Sequence, residues 1–124
     1  MNHQRPVNLD LASLKFPPMA IASIFHRLSG IALFLFFPVM LYFLKLSLDS
    51  SESYQQLLVT FEKPYVKFVL WAFSTALIYH VFAGIRHMLM DIGKGESLLV
   101  ARISAQGVIA VACIGAIILG VWIW

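Results

Sequence analysis

Residues 28–44 read Leu-Ser-Gly-Ile-Ala-Leu-Phe-Leu-Phe-Phe-Pro-Val-Met-Leu-Tyr-Phe-Leu, without a charge between Arg27 and Lys45. Two more such stretches follow. Residues 68–85 lie between Lys67 and Arg86, and residues 103–124 run to the C-terminal Trp124. They hold 17, 18 and 22 residues, against the roughly 20 that cross a bilayer's hydrocarbon core. The first two reach full length when the flanking basic side chains extend to the headgroups. In lipid each must be helical, because no water is present to satisfy an open backbone. The expected architecture is an all-α integral membrane protein with three transmembrane helices running up, down and up. Helix one covers about residues 21–48, helix two 64–91 and helix three 103–124, as a membrane domain (21–124) behind an N-terminal arm (1–20).

Composition agrees. Of 124 residues, 60% are hydrophobic and 12% charged, where a soluble domain carries about 45–50% apolar and about 25% charged residues. So short a chain cannot bury that excess in a globule. The single cysteine, Cys113, lies inside an apolar run; it can form no internal disulfide and no Cys-x-x-Cys metal site. A net charge of +3, divided between loops, excludes a nucleic-acid partner. The first twenty residues lack the apolar core of a signal peptide and the Arg- and Ser-rich pattern of a transit peptide, so helix one is expected to serve as the uncleaved insertion signal.

The connections are short. Residues 49–63, beginning Asp-Ser-Ser-Glu-Ser-Tyr, read as a polar loop or interfacial turn, and Pro64 suits the first position of helix two. Gly93 and Gly95 mark the end of helix two, and Pro38 predicts a kink in helix one. Arg5, Lys15, Arg27, Arg86, Lys94 and Arg102 fall on the side of the N-terminus; Lys45, Lys63 and Lys67 fall on the other. The bias predicts a cytoplasmic N-terminus and a C-terminus outside, where Trp122 and Trp124 anchor the interface.

Ionisable groups in or beside membrane helices are costly and suggest function. Two clusters stand out: Ser23-Ile-Phe-His26-Arg27-Leu-Ser-Gly30 at the start of helix one, and His80-Val-Phe-Ala-Gly84-Ile-Arg86-His87, running on to Asp91, at the end of helix two. Up-and-down topology brings both to one membrane face. Ser23 and Arg27 are four residues apart and share a helix face; together they can donate hydrogen bonds to a carbonyl or carboxylate oxygen. The plainer alternative is that Arg27 extends to the headgroups and Ser23 bonds its own helix. His80 is the deepest ionisable group, six residues or roughly 9 Å inward of Arg86. A neutral imidazole there needs either a metal or a partner on a neighbouring helix. Gly84, at i+4, leaves space beside it. His87 and Asp91 are also i, i+4 neighbours, and a simple pair between them is the plain reading.

Ser-x-x-His-Arg-x-Ser-Gly, followed some 50 residues later by His-x-x-x-Gly-Ile-Arg-His-x-x-x-Asp, resembles the paired signature of the cytochrome b membrane-anchor subunit of succinate dehydrogenase, respiratory complex II. The resemblance covers nearly the whole chain, from Arg5-Pro6 onward. Residues 7–11 read Val-Asn-Leu-Asp-Leu, where many members have Ser-Pro-His-Leu; this variant resembles one bacterial branch. The resemblance implies that His80 is an axial ligand of one b-type haem, shared with a second small anchor subunit that supplies the other ligand. It places Ser23 and Arg27 at the ubiquinone site, and His26, Arg27 and His87 near the haem propionates. It further implies an iron–sulfur subunit and a flavoprotein subunit docked on the cytoplasmic face, and a bacterial inner membrane with the C-terminus periplasmic.

Three readings follow. In the first, the chain is a non-catalytic subunit of succinate:quinone oxidoreductase that contributes to haem ligation and quinone reduction. In the second, it is a haem-free anchor of a fumarate reductase-type complex, for which a deep histidine has no use. In the third, it is a channel, transporter or assembly factor, which would distribute ionisable groups over the membrane depth. Here those groups crowd one face, and residues 103–124 hold no charge.

Overall fold

The structure, a computed structural model, describes residues 16–124. Residues 1–15 of the expected arm (1–20) therefore lie outside the described residues, and its last residues already belong to the first helix. Four helices follow in order: α1 (Pro18–Asp49), α2 (Ser51–Phe61), α3 (Pro64–Asp91) and α4 (Leu98–Ile123). No described residue lies in a strand. α1, α3 and α4 are each long and apolar enough to cross a membrane.

α1 opens on Pro17-Pro18 and continues through Pro38. α3 opens on Pro64, whose missing N–H falls where a helix has no partner for one. α4 starts at Leu98, ahead of the charge-free stretch. Ser97 occupies its N-cap position in extended conformation, so the first turn, with Arg102 just beyond it, projects past the apolar span. α3 ends in a glycine-rich turn. Gly93 and Gly95 both have φ near +77°, a conformation that side chains with a Cβ rarely adopt. Lys94 N–H donates to the Leu89 carbonyl and Gly93 N–H to that of Met90, both at 2.9 Å, closing the last carbonyls of the helix.

Residues 49–63 are not the expected loop. They form α2, an eleven-residue helix. Ser50 and Ser53 cap it reciprocally, each backbone N–H donating to the other's hydroxyl at 3.1 Å. The Ser53 hydroxyl also reaches the Leu46 carbonyl at 2.7 Å, tying α2 to the end of α1. Tyr54, Leu57 and Phe61 share one face; Leu57 is buried, and Phe61 meets Phe43 edge-on at 5.3 Å.

The bundle is packed with small residues. Ala22, Ser29, Ala83, Ala101, Ala105 and Ala112 are buried, whereas Phe34, Leu35, Ile118 and Val121 are largely exposed. A membrane bundle sorts this way, because lipid solvates large apolar side chains and association depends on close backbone approach. Tyr79, Ala83 and Ala112 form the centre, with Val108 and Ile109 packed against them. α1, α3 and α4 all touch one another, with α3 making the most extensive contact with both of the others.

Candidate functional site

Contacts between the start of α1 and the end of α3 confirm that the two polar clusters share one end of the bundle. The Tyr79 hydroxyl donates to the Ala22 carbonyl at 2.7 Å. One turn deeper, the His26 and His80 rings stack with centroids 4.3 Å apart and planes 16° from parallel. His87 closes the group, its ring 5.1 Å from that of His26. His87 and Asp91 make no ion pair among the described residues, where the single one is Lys67–Glu62 at 2.8 Å.

Hydrogen bonds set the protonation pattern of His80. The Ser29 hydroxyl donates its one proton to the His26 carbonyl at 2.8 Å. Its lone pair faces Nδ1 of His80 at 3.0 Å. Nδ1 also lies 3.3 Å from the His26 carbonyl, which can only accept. Both neighbours therefore call for a proton on Nδ1. A neutral ring in that tautomer carries its lone pair on Nε2, and no described residue hydrogen-bonds Nε2. A metal-ligating histidine is commonly held in this way, donating through one nitrogen while the other binds.

Two glycines let the rings pack closely against the helices. A Cβ on Gly30 would sit 3.1 Å from Cε1 of His80, and one on Gly84 would sit 3.5 Å from Nε2 of His26. That His26 nitrogen is buried without a hydrogen-bond partner among the described residues. Among the described residues no group of three His, Cys, Asp or Glu side chains forms a metal cage. One free imidazole lone pair and a second ring nitrogen without a partner among the described residues suit a planar metal-bearing macrocycle, which needs only axial protein ligands.

Ser23 and Arg27 lie beside this group without joining it. At 3.6 residues per turn, they occupy the flank of α1 next to the face carrying Ala22, His26 and Ser29. Ser23 is half-buried and Arg27 exposed, and neither side chain bonds another described residue.

Several polar residues have roles the sequence did not reveal. Ser29 lies in the first motif, but its bond to His80 spans 51 positions. Arg86, expected as a topogenic charge, is buried: its Nε donates to the Ser104 hydroxyl and a terminal nitrogen to the Ala101 carbonyl, both at 3.0 Å. Trp71 Nε1 donates to the Ala116 carbonyl at 2.8 Å. A polar side chain at a small-residue helix contact was the only available signal for these three.

Fold and site together define a polytopic helical membrane protein with a histidine cluster at one end of its bundle. Residues 1–119 match the succinate dehydrogenase/fumarate reductase transmembrane subunit family, and the chain belongs to it. It is similar to the succinate dehydrogenase cytochrome b556 subunit of Coxiella burnetii, 47% identical over 100% of both chains. The cytochrome b556 subunit of Rickettsia conorii is 33% identical over 98% of this chain and 92% of its own. The cytochrome b560 subunit of Reclinomonas americana is 36% identical over 75% and 68%. The chain is thus a membrane-anchor subunit of an oxidoreductase complex, working beside the other subunits rather than as the catalytic one.

Proposed function

We propose that this chain supplies one axial ligand, His80, to a single b-type haem, and part of a ubiquinone-reduction site through Ser23 and Arg27, within a succinate:quinone oxidoreductase. The observation that carries the reading is the hold of Ser29 and the His26 carbonyl on Nδ1 of His80, which leaves the Nε2 lone pair without a partner among the described residues. Three histidine rings in one group, and names containing cytochrome b among the relatives, support it. The other axial ligand comes from a second small anchor subunit, since among the described residues His80 alone has its Nδ1 held so that Nε2 carries the lone pair. When bound, the haem supplies a one-electron redox centre. His26, through its unpartnered Nε2, with Arg27 and His87, are the groups this chain offers to the haem propionates.

Succinate is oxidised in the flavoprotein subunit, and two electrons reach the quinone through the iron–sulfur subunit. With two protons they convert ubiquinone to the quinol. Ser23 donates a hydrogen bond to a quinone oxygen, and the Arg27 cation favours the negative charge that develops there, in a site screened from water. Arg27 keeps its charge throughout. The basic-residue bias supports an N-terminus in the cytoplasm and a C-terminus in the periplasm of a bacterial inner membrane, so the soluble subunits dock at the histidine end.

Ser23→Ala tests the quinone assignment in the assembled complex. Quinone reduction should fall by about tenfold or more, while succinate oxidation by an artificial acceptor stays intact. Equal loss of both activities would overturn it.

A further inference from the structure

A cleft of about 300 Å³ lies between the end of α3 and the start of α4, away from the histidines. Arg86, Lys94 and Ser104 line it together with the apolar Phe82, Ile85 and Leu89. Arg86 is only 7% exposed, and the acceptors it contacts, Ser104 and Ala101, are both neutral. Guanidinium has five N–H donors, so others remain for a ligand. Neither Arg86 nor Lys94 pairs with a carboxylate among the described residues; Asp91 and Glu96 on the same turn are exposed. A buried cation met only by neutral groups is costly unless an anion reaches it. The N-terminus of α4 opens here too, through Val100, with no side-chain cap on its leading N–H groups, which adds positive potential. The apolar wall is half-exposed and continuous with the surface that faces acyl chains.

We propose that this cleft binds an anionic phospholipid, its phosphate between Arg86 and Lys94 and one acyl chain along Phe82, Ile85 and Leu89. Basic pockets between membrane helices recognise lipid headgroups in this way. Free phosphate would leave the apolar wall unused.

The test uses the purified, delipidated complex, with bound lipid counted by native mass spectrometry after incubation with phosphatidylglycerol, phosphatidylcholine or inorganic phosphate. Phosphatidylglycerol should be retained several-fold over phosphatidylcholine. Lys94→Gln, whose side chain makes no hydrogen bond with a described residue, should lower that retention by about fivefold. Leu89→Gln should lower it as well, and Arg86→Lys, which keeps the charge, should preserve most of it. Equal retention of the two lipids, or no change in Lys94→Gln, would overturn the proposal. Inorganic phosphate binding with Leu89→Gln silent would show an anion site without a lipid. Release of the soluble subunits from Lys94→Gln at unchanged lipid count would assign these cations to a protein carboxylate, and the lipid would fall.

Discussion

The two ends of the bundle are joined differently. At the histidine end, Tyr79 bonds α1, His80 bonds Ser29 and Arg86 bonds α4, so side chains of α3 tie both neighbours to it. Towards the tryptophan end, one side-chain hydrogen bond among the described residues, Trp71 to Ala116, joins α3 to α4; the remaining polar contacts cap α2, tie it to the end of α1, stay within one helix or pair Lys67 with Glu62. Val121 and Trp122 there are 80% and 82% exposed. One end is specified by directional bonds that hold rings in place. The other is held by packing and solvated by lipid. Interhelical hydrogen bonds in a membrane average only about 0.6 kcal/mol, so the concentration at the first end serves geometry more than stability.

That contrast can be broken most directly at His80. His80→Ala should abolish the b-type band in the reduced-minus-oxidised spectrum of the isolated complex; an unaltered band would remove the residue from the haem. Ser29→Ala comes next. With Nδ1 left only the 3.3 Å contact to His26, haem affinity should drop by about tenfold, as for other groups that orient a metal ligand, read as haem content after detergent washing. A paired glycine test separates the regions at equal distance. The Cβ of Gly30→Ala would meet His80 Cε1 at 3.1 Å, and that of Gly115→Ala would meet Ile78 Cδ1 at 3.1 Å. The first neighbour is a ring held by hydrogen bonds, the second the tip of a flexible side chain. Haem content or band position should change in Gly30→Ala and not in Gly115→Ala. The smallest effect belongs to Trp71→Phe, which should cost about 0.6 kcal/mol in thermal unfolding and leave the spectrum intact.

The spans were legible because charge is excluded from lipid, and Arg27, Lys45, Lys67 and Arg86 punctuate the sequence accordingly. α2 was not, because Ser50, Ser51 and Ser53 read as turn residues; here Ser50 and Ser53 form a cap, and the spacing of Tyr54, Leu57 and Phe61 was the signal for an amphipathic helix. Ser97, a cap-type residue, likewise marked a start for α4 earlier than the charge-free run. The meeting of the clusters containing His26 and His80 followed from topology alone. The bonds inside that meeting did not. Ser29 to His80 and Arg86 to Ser104 depend on the rotation of each helix about its axis, which local spacing leaves open when apolar residues cover every side. For Ser23 and Arg27 the difficulty is different: neither side chain bonds another described residue, so nothing in the packing singles them out.

The exposed apolar belt has a consequence for how the complex comes together. A chain with this surface does not search for its neighbours through water. It meets them by sliding and turning within the plane of the bilayer, so its depth is set before any encounter. The polar end keeps His80 at one level along the membrane normal, and a neighbour inserted in the same bilayer arrives with its own level set by the same rule. Of the six rigid-body variables of an encounter in solution, two lateral positions and a spin about the normal remain largely free. For the shared haem proposed here, aligning two imidazoles would become a problem of rotation in a sheet.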